Sequence, residues 1–528
     1  MVRTDGNIAR ADVLRPARLP GGSLVSQRVV TMSTALRPTA PRPDLASAFF
    51  QQAPNASQRL KGAIAGRVTF GDLQNDPCRA IPLDAKPHPE VDGLNTLYAS
   101  SGAPDTFDRS EGELLVGTVR MGFGHHRIAY SAYTWALALG LHPTLHDLLD
   151  IDSPEADTIA GVDAFYSRWS RRAADIGGVI EWAWGKAMQQ GDIDALRFSC
   201  RLAERVAPLM RHLPKDLPVI STYPLCGQIA VACGFERVVN LVVDNYPQHF
   251  LLVPGALNLV QSPGNHMQLL QMGMPPESVD WAGSWVSHAI AANAIDDCAL
   301  RIARHDAHKP LRLLVPVGGA GAQKVYLTAL LNELAPLIRD GRIQLLINAG
   351  DHAHMAAAFL ARLTGLDIEH QEISSYIDLQ HFCMGYPLDS PEPVPAPVTL
   401  FHFDRHFEAF SATDMLIRIC DVMATKPSEL AFFPVPKLHI RRVGDHEAAS
   451  ALRSMELGDG TPECRDVADA VATLQLMLDD TGLLARMNED IALHSRSKLY
   501  DGSRVAIERA LEPGPHWAAL QRRVAAAR

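Results

Sequence analysis

The sequence predicts an α/β protein with two mostly parallel sheets, each made of strands that alternate with helices. An apolar strand, a glycine-containing loop and an amphipathic helix follow one another between Glu113 and Gly140. The same order recurs between Leu311 and Ile338, about 200 residues further on. Apolar runs that fit further strands buried on both faces lie at residues 217–220, 238–243 and 343–347.

The chain divides into four predicted parts. Residues 1–55 form a tail that is rich in Pro, Ser, Ala and Arg, and translation could start at Met1 or at Met32. Residues 56–300 form an N-terminal Rossmann-like domain and residues 301–465 a C-terminal one. Residues 466–528 are helical and are expected to pack back across both domains.

Composition excludes several classes of protein. The chain has 49 Lys and Arg against 59 Asp and Glu, a net charge of −10, which argues against a general nucleic-acid binder. Its 8 cysteines form no CxxC pair, which fits buried thiols in a reducing compartment. No apolar run is long enough to cross a membrane and no secretory signal core is present. We therefore expect a cytoplasmic protein, with the inner membrane surface as a further location.

The first candidate site is the loop between the first strand and its helix, where a ligand anion could lie at the helix N-terminus. Glycines let the backbone approach a ligand closely, and a histidine there can act as a general base. The alternative is a tight strand-to-helix turn with solvated histidines. The candidate residues are Gly122, Gly124, His125, His126 and Arg127.

The second candidate site is the corresponding loop of the second unit. Successive small residues after a strand can direct their backbone N–H groups at a phosphate, although close packing of helix on sheet would also explain them. The loop lacks the Lys-Ser/Thr ending of a P-loop and the spacing of a dinucleotide-binding fingerprint, which disfavours a dehydrogenase. Its residues are Gly318, Gly319, Ala320 and Gly321.

The third candidate site follows at Lys426, Ser428 and Glu429, with His446 and Glu447 downstream. Lys426 suits an anion or a sugar oxygen, and Ser428 stands at a helix N-cap position. Glu429 could accept hydrogen bonds from a ribose diol. His446 and Glu447 offer a donor and an acceptor to sugar hydroxyls, whereas the alternative is a capped helix and a polar loop.

Together the three segments resemble the GT-B glycosyltransferases, in particular the group of the MurG enzyme and the monogalactosyldiacylglycerol synthases. The resemblance spans roughly residues 113–447 and lies in the order and spacing of the motifs. It implies two Rossmann-like domains that face each other across a cleft, with the donor nucleotide on the C-terminal domain. Phe123 departs from the family, because it replaces the middle glycine of the usual glycine run.

The resemblance further implies a metal-independent sugar transfer from a nucleotide-sugar, expected to be UDP-linked, to a hydroxyl acceptor. His125 or His126 then either deprotonates the acceptor hydroxyl or stabilises the leaving phosphate, and Asp244 is the reserve base. No cofactor is implied, the nucleotide-sugar being a substrate. A nucleotide-sugar epimerase of the same fold and a non-catalytic nucleotide-sugar-binding protein stay open as alternatives.

Two further patterns have two interpretations each. The stretch from Phe165 to Trp184 alternates aromatic residues with arginines, which favours an amphipathic packing helix but also suits contact with an acceptor or a membrane surface. Asp351, His352 and His354 suggest a metal site. Histidines two positions apart on a helix do not share a face, so we favour a solvated helix start.

Overall fold

The computed structural model describes residues 45–69, 79–89, 91, 93–100, 112–161, 192–319 and 321–527. Three predictions concern residues outside these ranges: most of the tail, the aromatic stretch from Phe165 to Trp184, and Ala320 in the second glycine loop. Residues 43–528 form one compact unit.

The first lobe is built on an eight-stranded sheet with the spatial order β1-β2-β4-β3-β5-β6-β7-β8. The pair β1–β2 is antiparallel and the six other pairs are parallel. The strands are β1 (Leu83–Pro87), β2 (Asn95–Ala99), β3 (Leu114–Thr118), β4 (Pro143–Asp147), β5 (Val219–Ser221), β6 (Val238–Leu241), β7 (Leu257–Val260) and β8 (Val279–Trp281). The helices are α1 (Leu45–Phe49), α2 (Ala56–Thr69), α3 (Phe123–Ala138), α4 (154–161), α5 (Asp192–Arg205), α6 (Pro208–Arg211), α7 (Pro224–Cys233) and α8 (Pro263–Gln271).

The second lobe is built on a six-stranded parallel sheet with the order β11-β12-β10-β9-β13-β14. Its strands are β9 (Leu311–Pro316), β10 (Ile343–Asn348), β11 (His370–Ile373), β12 (Val398–Phe401), β13 (Val422–Thr425) and β14 (Lys437–His439). Its helices are α10 (Lys324–Arg339), α11 (Ala353–Gly365), α12 (Tyr376–Gly385), α13 (His406–Ile417) and α14 (Glu447–Glu456). Short 3₁₀ helices lie at Leu148–Asp150, His249–Leu251, Pro276–Ser278 and Glu429–Phe432.

Helix α9 (His288–Asp306) joins the lobes, and the predicted domain boundary at residues 300 and 301 falls inside it. Four helices follow the second lobe: α15 (Val467–Asp479), α16 (Thr481–Arg496), α17 (Gly502–Leu511) and α18 (Pro515–Ala527). α16 packs against α9, and α17 packs against α3 of the first lobe, where the hydroxyls of Ser131 and Ser503 are 2.7 Å apart.

The predicted α/β fold class is confirmed, because both sheets are formed by strands that alternate with helices. All five residues of β3 and all six of β9 are buried, as expected for strands covered on both faces. The predicted end of the tail at residue 55 is wrong. Phe49 is only 4% exposed and packs in one apolar cluster with Leu196 and Leu251, so the folded unit begins earlier.

The two lobes pack directly on each other. One buried apolar cluster contains Phe123 and Ile128 of the first lobe together with Phe401 and Phe410 of the second. Since burial of apolar surface stabilises the arrangement, the lobes form a closed pair in this structure. Among the described residues, no helix is long and apolar enough to cross a membrane.

The order of strands locates the ligand-binding positions of both sheets. In each sheet the strand order reverses next to the first parallel strand, between β3 and β5 and between β9 and β13. In open α/β sheets, ligands bind in the crevice outside the carboxyl ends of the strands at such a switch point. The described residues of the loops that follow these four strands are 119–122, 222–223, 317–319, 321–323 and 426–428. They include six residues of the predicted site: Gly122, Gly318, Gly319, Gly321, Lys426 and Ser428.

Candidate functional site

The two glycine loops meet at the boundary between the lobes. A Cβ atom on Gly319 would lie 2.8 Å from the Cα of Gly122, and closer still to the backbone nitrogen of Phe123. Gly122 has φ +80°, a conformation that favours glycine, and it immediately precedes α3. The absence of side chains at both positions therefore permits the two loops to touch.

The second glycine loop leads into α10. The backbone N–H of Gly321 donates to the carbonyl of Gly318 at 2.8 Å, and Gly321 has φ +59°. Two histidine rings then fix the loop carbonyls: His352 Nε2 donates to Gly318 O at 3.1 Å, and His354 Nε2 donates to Gly321 O at 3.2 Å. The loop is thus held in shape, and the N-terminal turn of α10 stands directly behind it.

The predicted helix start at His352 and His354 agrees with the structure, where the helix begins directly after His352 and His354 is exposed; each ring in addition contacts a carbonyl of the second glycine loop. His352 precedes α11 and is not part of it, so the expected divergence of two helical positions does not apply. Burial lowers the pKa of His352, outweighing the opposing effect of Asp351. Among the described residues, no group of three or more His, Cys, Asp or Glu side chains is placed to hold a metal ion.

Lys426 lies against the second glycine loop, because a Cβ atom on Gly318 would be 3.1 Å from its Cε. Its ammonium group donates to Glu447 Oε1. Burial opposes the charge of Lys426, but Glu447 and Glu429 outweigh this effect and raise its pKa. Lys426 is therefore a cation at neutral pH, next to backbone amides.

The carboxylate of Glu447 is buried and bound by protein groups, and its contact with a sugar hydroxyl stays a prediction. Glu447 is 4% exposed, and its Oε2 accepts the backbone N–H of Val443 at 2.7 Å and of Gly444 at 3.3 Å. These bonds and Lys426 occupy the carboxylate, so Glu447 holds Lys426 in place. His446 precedes α14 with its ring against Gly444 and is half-buried.

Arg127 lies at the boundary between the lobes. Its guanidinium group is 2% exposed and donates to three groups of the second lobe: Glu429 Oε1 at 2.5 Å, Asp414 Oδ1 at 3.1 Å and the carbonyl of Phe410 at 3.2 Å. All three guanidinium nitrogens are thereby engaged. In this structure the Arg127 side chain joins the lobes, and its contact with a ligand anion stays a prediction.

Glu429 lies at the lobe boundary, as its predicted role requires. A Cβ atom on Gly124 would be 3.3 Å from its carboxylate, so the small residue at position 124 leaves room for this group. Burial would raise the pKa of Glu429, but Arg127, Lys426 and the hydroxyl of Ser428 lower it. The position of Ser428 just before the 3₁₀ helix agrees with the prediction, although its hydroxyl serves the Glu429 side chain and does not cap the helix.

His125 is oriented by a backbone carbonyl. Its Nδ1 lies 2.7 Å from the carbonyl oxygen of Thr222, which can only accept a hydrogen bond, so Nδ1 carries the proton and Nε2 carries the lone pair. The ring packs edge to face on Tyr223 with 4.8 Å between centroids. Burial lowers the pKa of His125 even though Thr222 and the charge of Asp244 raise it. His125 is thus neutral at pH 7, as a general base must be.

His126 has a different environment from that of its neighbour. It is 7% exposed and its Nε2 donates to Asp147 at 3.0 Å. Its ring packs edge to face on His406, whose Nδ1 donates to Asp351 at 3.4 Å. Phe123, the first residue of α3, packs on the His406 ring with 5.1 Å between centroids. His126 is thus buried between Asp147 and His406, and its role as a base stays a prediction.

The structure brings together Gly122, Gly124, His125, Gly318, Gly319, Gly321, Lys426, Ser428 and Glu429. Asp244 follows β6, and its charge acts on both His125 and Lys426, which places it in the same group. The residues that the sequence did not single out for this site are Asp147, Thr222, His406 and Asp414. Their signal is weak, because each contacts residues that lie on another element of the fold, so no local pattern reports the contact.

The fold and site together define a two-lobed α/β protein of the GT-B type, whose two switch points face each other. Two family models match most of the chain. Residues 68–269 match a domain of unknown function (DUF6937), and residues 274–511 match another domain of unknown function (DUF6938). No curated protein matches the chain.

Solved structures with a similar course of the chain include three proteins of known ligand or name. An S. aureus MnaA–UDP co-structure has 12% identity and a TM-score of 0.40, covering 73% of this chain and 97% of its own. UDP-GlcNAc 2-epimerase from Neisseria meningitidis bound to UDP-GlcNAc has 8% identity and a TM-score of 0.41, covering 75% and 98%. A mutant of Thermobaculum terrenum O-GlcNAc transferase has 12% identity and a TM-score of 0.33, covering 90% and 83%. Likeness at this level says nothing of ligand or reaction, which have to be inferred from this chain's own residues.

Proposed function

We propose that this chain binds a nucleotide-sugar between its lobes and transfers the sugar to a hydroxyl acceptor. The observation that carries the proposal is the pairing of two groups across the lobe boundary. A neutral histidine with its Nε2 lone pair available, His125, lies within electrostatic range of Glu429, and Glu429 lies within range of the cation Lys426. A base and an anion-stabilising cation on opposite sides of one site are what acid–base group transfer requires.

In the proposed reaction, the diphosphate of the donor lies against the second glycine loop. Lys426 and the N-terminal turn of α10 stabilise the negative charge that develops on the leaving diphosphate. Lys426 and this helix N-terminus can stabilise the charge of the leaving diphosphate without a metal ion. The donor nucleotide is proposed to be UDP, as the resemblance to the MurG group implies.

Acceptor activation is assigned to His125. The carbonyl of Thr222 holds the Nδ1 proton, so Nε2 can take the proton of an acceptor hydroxyl while a new bond forms at the anomeric carbon. Asp244 acts on the same ring and stabilises the imidazolium that results. Glu429 is proposed to accept from the ribose through the oxygen that Arg127 does not use.

The proposal is tested in two stages. A thermal-shift screen of UDP-, GDP-, ADP- and dTDP-sugars identifies the donor, since a ligand at one hundred times its Kd stabilises the native state by about 2.7 kcal/mol. His125→Ala should then lower kcat by about 10²–10⁴-fold and leave donor affinity within twofold of the parent. His142→Ala, far from the lobe boundary on the turn before β4, is a matched control and should retain full activity.

Two results would contradict the proposal. If no nucleotide-sugar shifts the melting temperature, the site does not bind this class of ligand. If the His125 variant loses donor affinity as much as turnover, His125 is not the base. Product formed in the absence of any acceptor would indicate the epimerase instead.

A further inference from the structure

A buried contact between Arg127 and Glu429 crosses the boundary between the two lobes. Arg127 belongs to α3 of the first lobe, whereas its three partners, Glu429, Asp414 and the carbonyl of Phe410, all belong to the second. An arginine held at three points on two separate elements has a fixed plane. Its position is therefore a property of the closed pair of lobes.

A second carboxylate holds the guanidinium from the other side. Asp414 accepts from Arg127 through Oδ1 and from the hydroxyl of Ser287 through Oδ2, at 3.2 Å. Ser287 immediately precedes α9, the helix that joins the lobes. A continuous chain of hydrogen bonds thus leads from Ser287 through Asp414 and Arg127 to Glu429.

Two cations act on the carboxylate of Glu429. Arg127 contacts its Oε1, and Lys426 also acts on it, lowering its pKa. Lys426 is already bonded to Glu447. If Arg127 were absent, Lys426 would be the remaining cation that acts on Glu429 among the described residues, and pairing with this second carboxylate would further offset the charge that faces the second glycine loop.

We propose that Arg127 and Asp414 are positioning residues that hold Glu429 away from Lys426, so that ligand binding by the second lobe depends on a side chain of the first. The proposal rests on the proposed function, in which Glu429 and Lys426 contact a nucleoside diphosphate. It makes closure of the lobes and formation of the binding site a single event. The open form has the loop and the lysine but not the correctly placed carboxylate.

The test compares two buried arginines by the same substitution. Arg127→Lys keeps the charge but cannot reach three partners at once. The control is Arg304→Lys, because Arg304 is 5% exposed and donates to Asp421 at 3.0 Å and to the carbonyl of Pro310, away from both glycine loops. Both variants lose a buried fork of hydrogen bonds, so both are expected to melt at a lower temperature than the parent.

Affinity for UDP, measured by calorimetry below the melting temperature of each variant, separates positioning from general stability. Arg127→Lys should weaken UDP binding by about tenfold or more, and Asp414→Asn should weaken it by a smaller factor, whereas Arg304→Lys should stay within twofold. Equal affinity in the parent and Arg127→Lys would overturn the proposal. So would equal losses in Arg127→Lys and Arg304→Lys.

A second readout keeps the proposal testable if the parent does not bind UDP, in which case the proposed function fails separately. Amide hydrogen exchange of the segment 428–432 reports the position of Glu429 without any ligand. Faster exchange there in Arg127→Lys, with no change in Arg304→Lys, supports the positioning role. Unchanged exchange in Arg127→Lys overturns it.

Discussion

Gly319→Ala is the most direct test of the closed arrangement of the lobes. A Cβ atom at position 319 would lie 2.8 Å from the Cα and 2.9 Å from the carbonyl carbon of Gly122, and closer still to the backbone nitrogen of Phe123. Contacts under 3.0 Å essentially never occur for a real Cβ, and ordinary contact begins near 3.4 Å. All the opposing atoms are backbone, so no side chain can turn aside to make room. The two loops must separate by more than about half an ångström.

Overpacking of this kind costs roughly 1–3 kcal/mol where the surroundings are rigid. The two lobes can also respond by moving apart, and this movement would separate Arg127 from Glu429. We therefore expect a loss of about 1–3 kcal/mol in the free energy of unfolding, together with a larger radius of gyration.

Urea denaturation measures the first quantity and small-angle scattering the second. Gly365→Ala is the matched control, because a Cβ there meets no atom within 4 Å and the residue ends a helix. Parent-like stability and dimensions in Gly319→Ala, at the level of the control, would refute the close contact of the loops.

Two further predictions concern charge. Lys426→Met should weaken UDP binding by about tenfold to a hundredfold and lower the free energy of unfolding by about 1–3 kcal/mol, because Glu447 loses its cation. Lys309→Met, whose ammonium group donates only to the carbonyl of Ser390 among the described residues, is the control for calorimetry and should bind UDP like the parent. The free energy of unfolding should fall as the pH drops from 6.5 towards 4. Burial lowers the pKa of His146 to about 4 and that of His439 to about 3 in the folded chain. The same histidines take up protons near pH 6.5 in the unfolded chain, so a lower pH favours the unfolded state. His146→Asn should reduce that slope by up to about 1.4 kcal/mol per pH unit in urea titrations, and an unchanged slope would show that His146 is protonated in the folded state.

Local sequence patterns predicted the strands and helices near the glycine loops well. The run Leu114–Val119 is mostly apolar, and all residues of the strand Leu114–Thr118 are buried. The apolar run therefore predicted the buried strand correctly. The edge strand Leu83–Pro87 and its neighbour Asn95–Ala99 were not predicted, since they are short and the edge strand carries a lysine and a proline. The packed helix Leu45–Phe49 was assigned to the tail because five residues are too few for a helical period to show.

The site was predictable only as far as single segments allow. The glycines of both loops were found because a strand followed by small residues and a helix is a local pattern. The partners of Arg127 could not be found, since Asp414 and Glu429 lie 287 and 302 residues away and nothing local distinguishes an arginine that binds an anion from one that joins two lobes. The contact between His126 and Asp147 could not be found either. Asp147 is only 21 residues from His126, but it lies at the end of strand β4, whereas His126 belongs to helix α3.

Several carboxylates lie near the proposed diphosphate site, and their negative charge alone would repel the ligand. The partners that bind these carboxylates offset that charge. Glu447 is satisfied by Lys426 and two backbone N–H groups, and Asp414 is satisfied by Arg127 and Ser287. These hydrogen bonds and ion pairs offset the negative charges of both carboxylates. The loop itself presents backbone amides and the N-terminal end of α10, both of which favour an anion. The carboxylates thus hold the cations in position, and under the proposed function the main chain and Lys426 would select an anionic ligand.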